Sequence, residues 1–357
     1  MTDSQKPAAD APRLYVHTHP DRQFVDALRF ARHTLVFTHQ RPDPDALGSQ
    51  AAMAIMLRRI GVLKVEVVNF EPLPRQYAYL QENLSEQGIA ILQFSPDWTA
   101  TPPAADRIVV VDTCSFNQLE PAAPFLRSQR AKIMVADHHL GRDDLSDHIL
   151  ADTGAAAAAE IVWHLARHIA ELPMDAALAL PLMSGLVADT GWFRFDSVRP
   201  RTHLMAADLV PHVKSMDIYE HLQLNETASK LGLIQRALAS LTWLGTQQAA
   251  IMTLTQKDFL ETAATQSQTE ELVNLPMMVT TAEVTALLTE TPEGRVRGSL
   301  RAKHYVDVNK LAKQFGGGGH AKAAGLRMEG PLAAAKERLA TAILAAIVSR
   351  DPGDRVV

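Results

Sequence analysis

Along the first two hundred residues, short apolar runs alternate with stretches whose apolar positions recur every three or four residues. The runs at 34–38, 65–70, 108–112 and 133–136 are rich in β-branched residues and bounded by turn formers, which predicts strands. The intervening 46–60 carries the helical pattern and meets Gly61 as a stop; 155–170 and 175–188 predict two further helices. Alternation of this kind predicts a parallel sheet with helices on both faces. The pattern changes after Phe195. Residues 200–239 read as a helical connection interrupted at Val210-Pro211, and new strands are predicted at 249–254, 283–289 and 295–302. The last two flank Glu290-Thr291-Pro292-Glu293-Gly294, with proline early and glycine late, as in a hairpin turn. The expected fold class is therefore α/β: a parallel-sheet domain at 15–200, a helical connection at 201–240, and a smaller α/β domain with a mixed sheet at 241–350. Loose tails are expected at 1–14 and 351–357. The Ala-rich segments at 155–159 and 333–346 are helix formers.

Composition sets bounds on this picture. The 357 residues, 47% hydrophobic and 21% charged, suit two globular domains of ordinary size. No run approaches the roughly 18 consecutive apolar residues of a membrane span, and the N-terminus lacks the apolar core of a signal peptide. A cytoplasmic protein is the default expectation. One cysteine, Cys114, excludes a disulfide framework and a thiolate metal cage. A net charge of −5 argues against a coat for long duplex DNA. Yet residues 295–322 hold seven Lys or Arg (Arg295, Arg297, Arg301, Lys303, Lys310, Lys313, Lys322) against Asp307 alone, a local patch suited to a small anionic ligand or to a solvated surface.

Four acidic motifs close predicted elements, at the edge where open α/β sheets place their ligands. His39-Gln-Arg-Pro-Asp43-Pro-Asp45 follows the first strand, Asp112 the third and Asp137-His138-His139 the fourth, while Asp189 ends the helix predicted over 175–188. Pro42 and Pro44 are expected to hold the first loop extended as far as Ala46, so that Asp43 and Asp45 project the same way. Each acid alone also suits a helix cap or a turn. Together, five carboxylates converging on one cleft would repel unless cations joined them. Carboxylates and imidazoles without thiolate suit Mn²⁺ or Mg²⁺ and admit Zn²⁺ or Co²⁺. Six or so ligands fit two ions, and a pair about 3.5–4 Å apart can activate a water and neutralise a phosphoryl group. Farther along, Arg297-Gly298-Ser299-Leu300-Arg301 precedes Phe315-Gly316-Gly317-Gly318-Gly319-His320. Four glycines suit a flexible loop or a close backbone approach to an anion. A helix predicted over 321–324 would add its N-terminal dipole.

These motifs, in this order and at these gaps, resemble the DHH phosphoesterase family, and the glycine-histidine segment resembles its associated C-terminal domain. Arg41-Pro42-Asp43-Pro44-Asp45 and residues 269–276 are similar to the branch of oligoribonucleases that also dephosphorylate 3′-phosphoadenosine-5′-phosphate. The resemblance implies a catalytic domain at 15–200, a substrate-binding domain at 241–350 and an active-site cleft between them. It implies one metal on His39, Asp43 and Asp112, and another on Asp45, Asp112, His138 and Asp189. Asp137 would orient His138, and His139 would face the substrate phosphate. Arg194, Ser299, Arg301, Gly317, Gly318, Gly319 and His320 would touch substrate. The implied activity is manganese-dependent hydrolysis, by a water activated between two cations, of oligonucleotides two to five nucleotides long and of the bisphosphorylated nucleotide. A cyclic-dinucleotide phosphodiesterase is the alternative. A nucleotide sensor without turnover would have lost a metal position, and none is lost here. Dimerisation is an expectation at the level of the family. Cys114, Trp163 and Trp243 are read as packing residues, and His164, His168, His203, His212 and His221 as ordinary surface or core histidines.

Overall fold

The apolar runs pair side by side into a parallel sheet in the computed structural model, which describes residues 19–269 and 271–348. Both expected tails, and Glu270 within the 269–276 segment, lie outside the described residues. The strands are β1 (His33–Phe37), β2 (Lys64–Asn69), β3 (Ala90–Gln93), β4 (Arg107–Val111), β5 (Ile133–Asp137) and β6 (His148–Ala151), in the order β3-β2-β1-β4-β5-β6. All five pairings are parallel. The direction of winding reverses between β1 and β4, so the loops leaving these two strands diverge and open a crevice at the sheet's C-terminal edge.

Helices cover both faces, as continuous apolar strands require. They are α1 (His19–Arg29), α2 (Pro44–Arg59), α3 (Ala78–Glu86), α4 (Ala123–Ser128), α5 (Ala158–His164) and α6 (Ala176–Asp189). The alternation within β1 shows the two cores: Val36 joins Met53, Ile55, Val162 and Leu182 beneath α2, α5 and α6. Leu35 and Phe37 face the other way, among Phe94, Phe125 and Leu126. There Phe94 and Phe125 meet Trp98 edge-on at 5.4 and 5.7 Å, the geometry favoured by ring quadrupoles. The helices α7 (Pro200–Leu209) and α8 (Ser215–Gln223) complete this first compact unit, which ends at Asn225.

The second unit begins at Glu226. It contains α9 (Ala228–Ala239), β7 (Thr242–Leu244), β8 (Ala249–Leu254), α10 (Gln256–Thr262), β9 (Val284–Glu290), β10 (Val296–Ala302), α11 (Val308–Lys313), β11 (Gly318–Gly319), β12 (Ala323–Met328) and α12 (Leu332–Val348). The sheet order is β11-β12-β10-β9-β8-β7, mixed because β8 and β9 run parallel while the other pairs are antiparallel. Along β10 the side chains alternate strictly. Val296, Leu300 and Ala302 enter the core beneath α11 and α12, and Ser299 and Arg301 occupy the opposite face.

Three expectations need correction. Pro44 does not keep its segment extended; it is the first residue of α2, where its fixed φ suits the helix and its missing amide goes unneeded. The helix expected from 155 starts only at Ala158, because residues before it are drawn out to give the Ala156 amide to Glu160. Residues 321–324 are not helical: Ala323 and Ala324 belong to β12, where pairing with Arg301 and Leu300 overrides alanine's helix preference.

Candidate metal centre

Five elements of the first unit deliver acids and imidazoles to the crevice between β1 and β4. His39 lies two residues beyond the end of β1. Asp43 caps α2, accepting a 2.9 Å hydrogen bond from the Ala46 amide, and Asp45 lies one residue into that helix, wholly buried. Asp112 follows β4 with φ 61°, a left-handed conformation that reverses the chain at the strand's end. Asp137 closes β5 and carries His138 and His139 beyond it, and Asp189 closes α6.

Their side chains converge. His39 Nε2 lies 3.5 Å from Asp112 Oδ2, and His138 Nε2 lies 3.3 Å from Asp112 Oδ1, 3.4 Å from Asp189 Oδ2 and 3.9 Å from Asp45 Oδ2. Two triplets, His39 with Asp43 and Asp112, and Asp45 with His138 and Asp189, each offer ligand atoms within 4.8 Å of one another. Asp112 turns one oxygen toward each. Among the described residues, the buried Asp112 Oδ1 and His138 Nε2, 3.3 Å apart, have no hydrogen-bond partner. Donor atoms left orphaned and facing a common point are what a divalent cation requires, and carboxylate with imidazole is a donor set that suits one.

The electrostatics agree. Burial, then the charges of Asp112 and Asp189, raises the Asp45 carboxyl far above the usual range. Burial, then Asp43 and Asp112, lifts Asp189 to about 6. Burial works against a charged His138, but the facing Asp112, Asp45 and Asp189 carboxylates push it up to about 9. Without a cation, then, the cluster is short of positive charge.

Packing makes the approach of α2 and α6 unusually close. A Cβ on Gly48 would sit 2.3 Å from the Pro181 carbonyl oxygen, and one on Gly185 would sit 2.5 Å from Asp45 Oδ1 and 2.8 Å from Ala159 Cβ. Asp45 is fixed in turn by the Ala158 and Ala159 amides at the start of α5, at 2.6 and 3.0 Å. Sequence reasoning did not single out Gly185; its signal is a glycine inside a strongly helical pattern.

Asp137 does not orient His138. Its Oδ1 accepts from the His139 amide at 3.2 Å and faces His139 Nδ1 at 2.8 Å, whereas His138 Nδ1 faces the Ala155 carbonyl at 3.3 Å. The turn after β5 folds the Asp137 side chain back onto the residue two ahead. His139 is half exposed, and the Asp137 contact raises its pKa above the ordinary value.

The other expected site residues are divided between the two units. Arg194 is exposed and donates from Nε to the Gly191 carbonyl at 2.6 Å, after a left-handed turn through Gly191, Trp192 and Phe193. In the second unit Ser299 and Arg301 share a face of β10. Gly317 and Gly319 have a packing task of their own, since a Cβ would come within 2.1 Å of the Gly325 oxygen and 2.5 Å of the Ala323 oxygen. Gly318 is free of such contact, and His320 is exposed at the hairpin turn, its amide bonded to Ala323 O at 2.7 Å. Of the packing residues, Cys114 is buried and Trp163 donates to Asp208 at 2.9 Å.

Two family models match the chain. One, described as the DHH family N-terminal domain, covers residues 33–186, and the other, the DHHA1 domain, covers residues 247–349. The protein belongs to the DHH family. Among its relatives is the bifunctional oligoribonuclease and PAP phosphatase NrnA of Thermus thermophilus, 27% identical over 311 residues, which span 86% of this chain and 88% of that one. The probable NrnA of Streptococcus mutans is 26% identical over 291 residues, 82% of this chain and 88% of its own. Among solved structures, an exopolyphosphatase-related protein from Bacteroides fragilis shares the fold, with a TM-score of 0.77 at 20% identity over 92% of this chain and 95% of that one. No helix among the described residues is long and apolar enough to cross a membrane.

Proposed function

We propose that this DHH-family phosphoesterase hydrolyses oligonucleotides two to five nucleotides long and 3′-phosphoadenosine-5′-phosphate, using two divalent cations, with manganese preferred. The observation that carries the reading is the pair of donor triplets joined at Asp112. His39, Asp43 and Asp112 would hold one ion, and Asp45, His138, Asp189 and the other oxygen of Asp112 would hold its neighbour. When bound, the ions supply Lewis-acid charge and an activated water. The chain's own residues do the rest. Asp137 accepts from His139 Nδ1, which fixes the imidazole's orientation and favours its protonated form beside a departing oxygen. Arg194, Ser299, Arg301, the Gly317–Gly319 backbone and His320 are proposed to grip the phosphates that are not cleaved. The similarity to proteins named oligoribonuclease and PAP phosphatase supports this substrate class.

A manganese-supplemented assay on a linear dinucleotide, the bisphosphorylated nucleotide, cyclic di-AMP and pyrophosphate tests it. Cleavage of the first two is expected. Cleavage of cyclic di-AMP alone would replace the reading with the cyclic-dinucleotide alternative, and binding without cleavage of any of the four would make the protein a sensor.

A further inference from the structure

Glu283, just before β9, is buried to 4% exposure, yet among the described residues its carboxylate is met by backbone rather than by a cation. Its Oε1 accepts from three successive amides, His304 at 3.0 Å, Tyr305 at 2.7 Å and Val306 at 2.9 Å, and Oε2 lies 3.1 Å from the His304 amide. Its own carbonyl accepts from Lys303 at 2.9 Å. Successive amides converging on one point form an anion-binding concavity, and here the anion is part of the chain. Four hydrogen bonds to one carboxylate offset the cost of burying it.

The segment so fixed is the link between β10, which carries Ser299 and Arg301, and α11. It is also tied to the hairpin that carries His320. The Ala302 amide donates to the Lys322 carbonyl at 3.1 Å, the Val308 amide donates to the Ala321 carbonyl at 2.9 Å, and the Lys322 ammonium donates to the His304 carbonyl. The side chains of His304, His320 and Lys322 are all exposed on these two joined segments. Lys322 gives only part of its donor capacity to the His304 carbonyl, so its charge remains available to an anion.

We propose that Glu283 is a positioning residue for phosphate binding in the second unit. It fixes residues 304–306 and, through the His304 carbonyl and Lys322, sets an exposed cluster of His304, His320 and Lys322 that takes a non-scissile phosphate of the nucleotide. The proposal rests on the nucleotide reading given above and adds His304 and Lys322 to the substrate contacts. Glu283→Gln keeps the side chain's shape but sets its amide nitrogen against the His304 N–H that Oε2 now meets, and it removes the negative charge from the concavity; Glu283→Ala empties it.

The test measures equilibrium binding of adenosine 3′,5′-bisphosphate to the full chain, with hydrolysis of bis(p-nitrophenyl) phosphate as a reaction needing no second phosphate. Both variants are expected to bind the nucleotide about tenfold more weakly, while turnover of the small ester stays within about twofold. Hydrogen exchange is expected to quicken at the 304–306 amides, and formate, which fits the emptied concavity, should restore binding to Glu283→Ala and leave Glu283→Gln unchanged. Unaltered nucleotide binding in both variants overturns the proposal. So does a parallel loss of ester hydrolysis, which would mark a general structural role. If the unmodified protein binds the nucleotide but cleaves none, the hydrolase reading fails while the role of Glu283 is still measured. If it binds none, both fall.

Discussion

At Asp45 a buried carboxylate accepts from the Ala158 and Ala159 amides while facing Asp112 and Asp189, so its charge is both held and crowded. Asp45→Asn keeps one oxygen for these amides and gives up the other bond, a loss of about 1 kcal/mol. Removing a buried like charge offsets that loss in the metal-free protein. The expected outcome is a metal-free melting temperature no lower than that of the unmodified protein, a smaller rise on adding Mn²⁺, and turnover reduced on the order of a hundredfold. Near-normal turnover would remove Asp45 from the metal set. The proposed ligands His39, Asp112 and His138 are legible in the sequence because each lies just beyond an apolar strand, whose end can be located to within a residue or two. The partner of Asp137 is not. Which neighbour its side chain reaches depends on the turn after β5, and no periodicity encodes that.

The helices α2 and α6 meet where neither can carry a side chain, and this contact positions Asp45 against Asp189. Gly185→Ala would gain up to about 1 kcal/mol in helix propensity, but its Cβ would overlap Asp45 Oδ1 and Ala159 Cβ. Overpacking costs roughly 1–3 kcal/mol and displaces the carboxylate, so the variant is expected to unfold at lower urea and to bind Mn²⁺ more weakly. A variant as stable as the parent, with unchanged Mn²⁺ affinity, would show that the close approach is dispensable. Elements with long, regular patterns were predictable: β1, β2, β4 and β5, the body of α2, and the Ala-rich α12. The edge strands β3 and β6 escaped because they are short and half exposed, so their sequences, Ala-Ile-Leu-Gln and His-Ile-Leu-Ala, lack a continuous apolar run. Residues 321–324 lack a legible strand signal because β12 is held in the sheet by β10, which lies more than twenty residues earlier, against the local helix preference of alanine.

Each unit has its own core, so their stabilities can be read separately. An ion held only by first-unit residues stabilises that unit by about 2.7 kcal/mol at a hundredfold excess over Kd. That corresponds to roughly 5–10 °C for a unit of this size. Calorimetry with and without Mn²⁺ is expected to move one transition up, leave the second in place, and return the first to its starting point with a chelator. Movement of both transitions, or of neither, would contradict a centre confined to the first unit. The class of sheet was legible from alternation, whereas the strand order, and with it the crevice between β1 and β4, comes from long-range pairing that a linear pattern does not contain.

The order of the proposed ligands along the chain has a consequence during synthesis. His39, Asp43 and Asp112 are all in hand once β4 has settled beside β1, while Asp189 is added only at the end of α6. On the proposed ligand sets, a ribosome-bound chain gathers the first triplet before the second is complete, so ion loading is expected to proceed in two steps during synthesis.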